Sequence, residues 1–362
     1  MQEVIQERFK ISPFLVIYMV LSMQIGIGVL GFQRIIAEDA GHDAWISVLV
    51  AGASLHIIMW MIYKINESVN GDIVTAHEFI AGKWVGKILS SIFIAYFLLL
   101  ALTVVRTYVE VIQVWMFTDI NLWWFSVCFF LICIYIIYGG FRTVVGISFF
   151  SFVFHIYLYP IFFFNLQYAQ WNHLTPIFEN SIKDILLGSF HMSLTFIGFE
   201  VILFFYPFIK EPQKSKKWAH FGLFLTTIGN TILMIISIVY FSKDQLAKSI
   251  WPTLTMWKIV KLPFVERFEY IGIGTWSLVI LPNVCITIWI ASRLLKRIIN
   301  IKQKHGVIYI VIAMSIAINF IDTREKVSLL NDYTGLAGFG VTFIYIPLLF
   351  IILMIMKKVK KK

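Results

Sequence analysis

Gly26-Ile27-Gly28-Val29-Leu30-Gly31 is the stretch that decides how this chain folds. It lies in the middle of an apolar run from Pro13 to Phe32. A second interruption, Thr195-Phe196-Ile197-Gly198-Phe199-Glu200, lies in the middle of a run from about Ile185 to Ile209. A bilayer holds no water to satisfy backbone groups freed by a broken helix, so an interruption survives only where it lines a cavity or is buried in protein. Two interruptions at matching places in two halves of a chain point to a binding site for a small polar molecule near the membrane midplane.

The composition agrees. Of 362 residues, 59% are hydrophobic and only 14% are charged, and the mean hydropathy is +0.83. A soluble core has no use for so much apolar surface. The apolar runs predict about ten helices, over 13–33, 43–64, 84–117, 121–138, 143–165, 183–209, 217–242, 269–295, 305–321 and 334–356. The third is too long to stand upright and must tilt or protrude. Nothing is left for a soluble domain, so 1–362 reads as a single transmembrane domain, with one repeat over about 13–165 and a second over about 183–356.

The net charge of +10 is then a topology signal and not a nucleic-acid footprint. Lys and Arg crowd one alternate set of gaps, from Arg8 and Lys10 through Lys210, Lys214, Lys216 and Lys217 to Lys357, Lys358, Lys360, Lys361 and Lys362. That asymmetry predicts cytoplasmic termini; the long 243–268 gap dissents. The terminal Lys cluster holds topology or meets anionic lipid of the bilayer. No small-residue cleavage site follows the first apolar run, which reads as an uncleaved span. Trp45, Trp84, Trp123, Trp124, Trp218 and Trp276 fall near span ends, as an interfacial belt would. Cys128, Cys133 and Cys285 lie inside apolar runs without metal-ligand spacing and read as small buried hydrophobes.

Gly26-Ile-Gly-Val-Leu-Gly31 also matches the G-x-G-x-x-G dinucleotide fingerprint. The match fails on context, which requires a preceding strand and an α/β alternation. Either the glycines are a close-packing face against a neighbouring helix, or they mark an unwound hinge. Pro13, Ser22 and the partner break favour the hinge. Half-helices ending at the midplane expose N–H groups that attract an anion and carbonyls that attract a cation, so an amino-acid zwitterion suits such a site.

In the second break, Glu200 is a carboxyl near mid-span and so a functional candidate. It reads equally as a partner for a ligand ammonium, as a proton-titrating group or as one half of a structural pair. Thr195 and Gly198 beside it supply a hydroxyl and room for backbone approach. On the third span, Arg106 and Glu110 are four residues apart on one helix face, where mutual neutralisation is favoured over a gate. Tyr96, Leu100 and Thr103 share another face, positioned to line a cavity. On the eighth span, Gly272 and Gly274 loosen the start, Pro282 kinks it and Thr287 is a candidate polar lining residue. His56, His155 and His191 are isolated in different spans, where a hydrogen bond to a neighbouring helix is the expectation. No catalytic constellation and no cofactor motif recurs with usable spacing, so nothing here argues for an enzyme.

The polar gaps carry a more specific pattern. Tyr206-Pro207-Phe208-Ile209-Lys210-Glu211-Pro212-Gln213-Lys214 follows the sixth span. Trp251-Pro252-Thr253-Leu254 and then Leu262-Pro263-Phe264-Val265-Glu266-Arg267-Phe268-Glu269 precede the eighth. Leu174-Thr175-Pro176-Ile177-Phe178 leads into the sixth span, and Ile11-Ser12-Pro13 into the first. In order and spacing, from about residue 8 to 356, these resemble the B subunit of spore germinant receptors, within the amino acid–polyamine–organocation transporter superfamily.

The resemblance implies an all-α polytopic membrane protein with a five-plus-five inverted repeat of the LeuT type, its first and sixth helices broken. It implies a nutrient germinant, often an amino acid, as ligand. It also implies an A-type membrane subunit and a C-type lipoprotein as partners in the spore inner membrane. Carried over by position, Gly26, Gly28, Gly31, Thr195, Gly198 and Glu200, with Tyr96, Leu100, Thr103 and Thr287 facing them, would form the pocket. A secondary amino acid transporter coupled to a proton or sodium ion would use the same fold.

Overall fold

The computed structural model describes residues 5–263 and 265–360. Phe264 of the motif before the eighth span, and Lys361 and Lys362 of the terminal cluster, lie outside the described residues. The helices used below are α1 (Val16–Gln24), α2 (Phe32–Ala40), α3 (Ala44–Val69), α4 (Ile73–Trp115), α5 (Leu122–Tyr138), α6 (Phe141–His155), α7 (Ile182–His191), α8 (Ser193–Phe196), α9 (Ile202–Phe205), α10 (Lys216–Tyr240), α11 (Phe268–Ile299), α12 (Gln303–Ala317), α13 (Arg324–Phe339) and α14 (Ile346–Lys360). Among the described residues no strand forms; only isolated bridges join Ile11 to Ile209 and Leu262 to Val265.

Each of the expected apolar segments is helical. Among the described residues seven stretches are long and apolar enough to cross a membrane, and the pair Ile182–His191 and Ser193–Phe208, bent by 47°, makes an eighth. The shorter Pro13–Gln24 and Leu122–Tyr138 stand where the first and fourth spans were expected.

Two boundaries differ from the hydropathy reading. The third helix starts at Ile73, because Asp72 caps it through the Thr75 N–H (3.1 Å) and is itself held by Arg297 (2.5 Å). Gly82, at φ 76°, kinks it ahead of the expected start; that positive φ is where glycine is favoured. The last segment starts at Arg324 and not at 334, because the Thr323 hydroxyl accepts from the Lys326 N–H and lets a polar turn lead into the apolar run. A π-helical stretch, Gly340–Tyr345, joins α13 to α14.

The first and sixth segments are interrupted where the glycines stand. Helix α1 ends at Ile25 (φ −90°, ψ 88°) and Gly26 is extended before a short 3₁₀ turn, Ile27–Leu30, leads to α2. Helix α8 ends at Ile197 (ψ 167°), Gly198 takes φ 104°, and the 3₁₀ turn Phe199–Val201 restarts the chain toward α9. The segments flanking the two breaks also touch. Ile11 N–H donates to Phe208 O and Lys210 N–H to Ile11 O, both at 2.8 Å. This brings the Ile11-Ser12-Pro13 motif against the Tyr206–Lys214 motif.

Two close helix pairs frame the interior. Helix α3 lies against α10 so tightly that a Cβ on Gly52 would stand 2.2 Å from Thr227 Cγ2. Helix α4 packs along α11, with Tyr108 OH bonded to Ile273 O at 2.8 Å. The broken segments lie between these pairs.

Candidate ligand site at the paired helix breaks

The two breaks lean on each other. A Cβ on Gly28 would stand 2.8 Å from Thr195 Oγ1 and 3.0 Å from Thr195 Cα, and one on Gly198 would stand 3.0 Å from Met23 Cβ. Gly26 and Gly31 take negative φ. In this break glycine is needed for closeness, not for conformation. The two readings of the first motif therefore merge: the helix is unwound, and its glycines are close-packing points, Gly28 against Thr195 of the second break, Gly26 against Asn283 of α11 and Gly31 against Ile250 and Trp251. Gly198 is required on both counts, by its left-handed φ and by Met23.

Side chains tie the freed backbone groups. Gln24 Nε2 donates to Phe196 O (2.8 Å) at the end of α8, and Gln24 Oε1 accepts from Thr226 of α10 (2.6 Å). Asn283 Nδ2, the residue after Pro282 in α11, lies 3.4 Å from Ser22 O and 3.3 Å from Met23 O, the last carbonyls of α1. Such carbonyls have no partner within their own helix. Thr103 of α4 meets Thr334 of α13, hydroxyl to hydroxyl, at 2.7 Å.

Between these groups lies a cavity of about 30 Å³. That is space for roughly two waters. Gly26, Gly28, Leu100, Thr103, Thr195 and Gly198, six of the expected site residues, line it. Six more lining residues, Met23, Gln24, Val104, Leu194, Asn283 and Thr334, carry no signal in the sequence that marks them as site residues.

The other four expected residues stand apart from this lining. Glu200 is wholly buried and accepts twice, from Tyr96 OH (2.5 Å) on one oxygen and from Gly198 N–H (2.7 Å) on the other. The carboxyl thus fastens the restart of the second break to α4. Phe93 and Phe97 pack edge-on against the Tyr96 ring, and Phe204 packs edge-on against both of them. Burial of this kind is tolerable only because each carboxyl oxygen has a donor. Gly31 sits under Ile250 O and Trp251. The Thr287 hydroxyl bonds back to Asn283 O and Val284 O of its own helix.

Among the described residues no direct ion pair joins Arg106 to Glu110, although their charges still favour each other along α4. Arg106 Nε donates to Ile321 O, and Glu110 pairs with Arg324 across to α13. Sequence proximity suggested the i,i+4 pair; the α12–α13 connection supplies nearer partners for both. The isolated histidines each meet a neighbouring element: His56 meets His220 (2.9 Å), His155 meets Thr275 O (2.6 Å) and His191 meets Asp39 (2.5 Å). Trp84 and Trp124 are exposed as belt residues would be, whereas Trp276 is buried. Cys133 and Cys285 are buried and Cys128 exposed, all as free thiols.

An all-helical multi-pass bundle with unwound first and sixth segments meeting at its centre is the architecture of the LeuT-type transporters. The protein MhsT, solved in complex with L-phenylalanine, superposes with a TM-score of 0.66 at 12% identity, over 94% of this chain and 87% of that one. The family described as spore germination protein matches residues 10–327, and the chain belongs to it. It is 43% identical to spore germination protein GerQB of Bacillus cereus, over 95% of this chain and 96% of that one. With spore germination protein A2 of Bacillus subtilis it shares 24% identity over 91% of this chain and 92% of that one.

Proposed function

We propose that this chain is the nutrient-sensing membrane subunit of a spore germinant receptor, and that its ligand is a small amino acid held where the two breaks meet. The observation that carries this is the meeting itself: six residues expected from the sequence share one cavity with the amides of Gln24 and Asn283. The lining offers hydroxyls and amides beside Leu100, Val104 and Leu194. Such a wall suits an amino acid with a small apolar side chain better than a sugar.

The cavity of about 30 Å³ is contracted, well below the ~300 Å³ at which small-molecule pockets begin. Ligand entry therefore requires the breaks to part. A ligand that binds only the parted arrangement shifts the population toward it, and this is sufficient for sensing without net transport. An A-type membrane subunit and a C-type lipoprotein would read that shift at the spore inner membrane. The cytoplasmic termini expected from the Lys and Arg distribution fit that placement.

The test is germination of spores lacking this gene, across single amino acids and mixed nutrients, with vegetative amino-acid uptake measured alongside. Loss of response to particular nutrients with uptake intact is the expected result. Normal germination with reduced uptake would overturn the reading in favour of an ion-coupled transporter.

A further inference from the structure

Away from the breaks, one cleft gathers charge without pairing it. The half of the first broken segment that follows Gly31, α2, packs against a short helix, Lys243–Lys248, which comes after α10. Between them lies a space of about 160 Å³, room for roughly a dozen waters. It shares no lining residue with the cavity at the breaks.

Local structure sets four ionisable side chains around this space. Arg34 and Glu38 stand one turn apart on α2, and the turn at Gly41 (φ 50°) brings His42 in after them. Opposite, Ser242 caps the short helix: its hydroxyl accepts from Gln245 N–H (3.3 Å), and Gln245 Oε1 accepts from Ser242 N–H (3.1 Å). That cap fixes Lys243 as the first helical residue, lining the cleft. The floor is apolar, made by the buried side chains of Ile238, Phe241 and Leu246.

Among the described residues, no ion pair or hydrogen bond engages the side chains of Arg34, Glu38, His42 or Lys243. Arg34 and Glu38 have the i,i+4 spacing that lets a helix pair its own charges, yet they stay open. Glu38 and Lys243 are exposed, but Arg34 and His42 are half-buried beside an apolar floor, where unpaired charge is costly. Arg34 and Lys243 also belong to the polar gaps that the charge asymmetry assigns to the outer face, where cations are disfavoured. Lys243 opens the long gap that dissents from that pattern. Two such cations turned on one cleft, with a carboxylate between the same walls, are the complement of a ligand that carries both signs.

We infer that this cleft is a second ligand site, for a small zwitterion with an apolar side chain: an α-amino acid whose carboxylate meets Arg34 and Lys243 and whose ammonium meets Glu38. A guanidinium matches a carboxylate with two parallel bonds. Glu38 stands in the last turn of α2, where the helix dipole also favours a cation. The ligand side chain lies on Ile238, Phe241 and Leu246. The site does not depend on the germinant reading, but the two ligand classes overlap, so the test reads the two places separately.

Full-length protein in nanodiscs is photolysed with leucine carrying a diazirine in its side chain, and labelled peptides are mapped by mass spectrometry. Saturable labelling within 34–42 and 238–247 is expected. Leucine should displace it. Two competitors should do so at least fivefold less well: 4-methylpentanoate, which lacks the ammonium, and 3-methylbutylamine, which lacks the carboxylate.

Arg34→Gln should cut the labelling about tenfold, the value of a charge-assisted bond, and remove leucine's advantage over 3-methylbutylamine. Glu38→Gln should remove its advantage over 4-methylpentanoate. A mere packing defect would weaken all three competitors alike. If Arg34→Gln does not fold, the exposed Glu38 carries the comparison. Labelling that never saturates in these peptides, three competitors of equal strength, or selectivity unchanged in the folded variants would overturn the inference. Labelling confined to 23–28 and 194–198 would also overturn it and leave the germinant reading standing. Labelling at the cleft alone would uphold it and count against that reading.

Discussion

Gly28→Ala adds one methyl at the contact between the two breaks. That methyl would lie 2.8 Å from Thr195 Oγ1 and 3.0 Å from Thr195 Cα. A hydroxyl can rotate away, but a Cα moves only with its backbone. Forcing an extra methyl into a packed contact costs about 1–3 kcal/mol, roughly a 5- to 150-fold change in the balance between the meeting and parted arrangements. Gly274→Ala is the matched control: it lies in α11 with nothing within 4 Å of its Cβ, and alanine there should be neutral or stabilising by about 0.5–1 kcal/mol. Two assays separate them. In detergent, purified Gly28→Ala protein should unfold several degrees below wild type while Gly274→Ala does not. In spores, the germinant dose–response should move for Gly28→Ala alone. If the two variants cannot be told apart in either assay, the breaks do not meet as described.

Other contacts make equally direct tests. Tyr96→Phe and Glu200→Gln should each destabilise by about 1.5–3 kcal/mol, the range for hydrogen bonds to charged groups. The double variant of Tyr96→Phe with Glu200→Leu, which has no acceptor, should lose clearly less than the sum of its singles, because both singles break one shared bond; strict additivity in thermal melts would refute that pairing. Asn283→Leu frees the last carbonyls of α1 and should lower the melting temperature while leaving helix content unchanged by circular dichroism. Gly52→Ala, with its Cβ 2.2 Å from Thr227 Cγ2, should be worse than Gly28→Ala in the same melts, and an equal or smaller loss would show that α3 and α10 can slide apart.

The sequence made the breaks legible because glycine in an apolar run has a physical cost that needs a reason. It made Gly26, Gly28, Thr195 and Gly198 legible for the same cause, and Leu100 and Thr103 by helix spacing. It could not show that Glu200 faces Tyr96, 104 residues earlier, since no local pattern encodes that distance. Gln24 and Asn283 are lone amides in apolar runs; the only signals were their positions just before Gly26 and just after Pro282. Thr334 was assigned to the start of a span, whereas a cap at Thr323 puts it three turns into the helix. Gly52 and Gly338 looked like any glycine in a span, yet each admits a side chain from another helix, Thr227 and Ile197 respectively. The Arg106–Glu110 reading was incomplete: the two charges favour each other, but adjacency on one helix says nothing of the direct partners, Ile321 O and Arg324, that lie beyond it.

The bonds that fasten the breaks to α4 and α11 are few. Tyr96 to Glu200 crosses from α4, and Asn283 to the end of α1 crosses from α11. At about 1.5–3 kcal/mol for the first and 0.5–1.5 kcal/mol for the second, the fastening is worth about 2–4.5 kcal/mol. A ligand that binds only the parted arrangement offsets that much when its free concentration is roughly 30- to 2,000-fold above its dissociation constant. If the breaks hold a germinant as proposed, a latch of this size makes the bundle a threshold detector, silent to traces of the ligand and responsive only to a large excess over its dissociation constant.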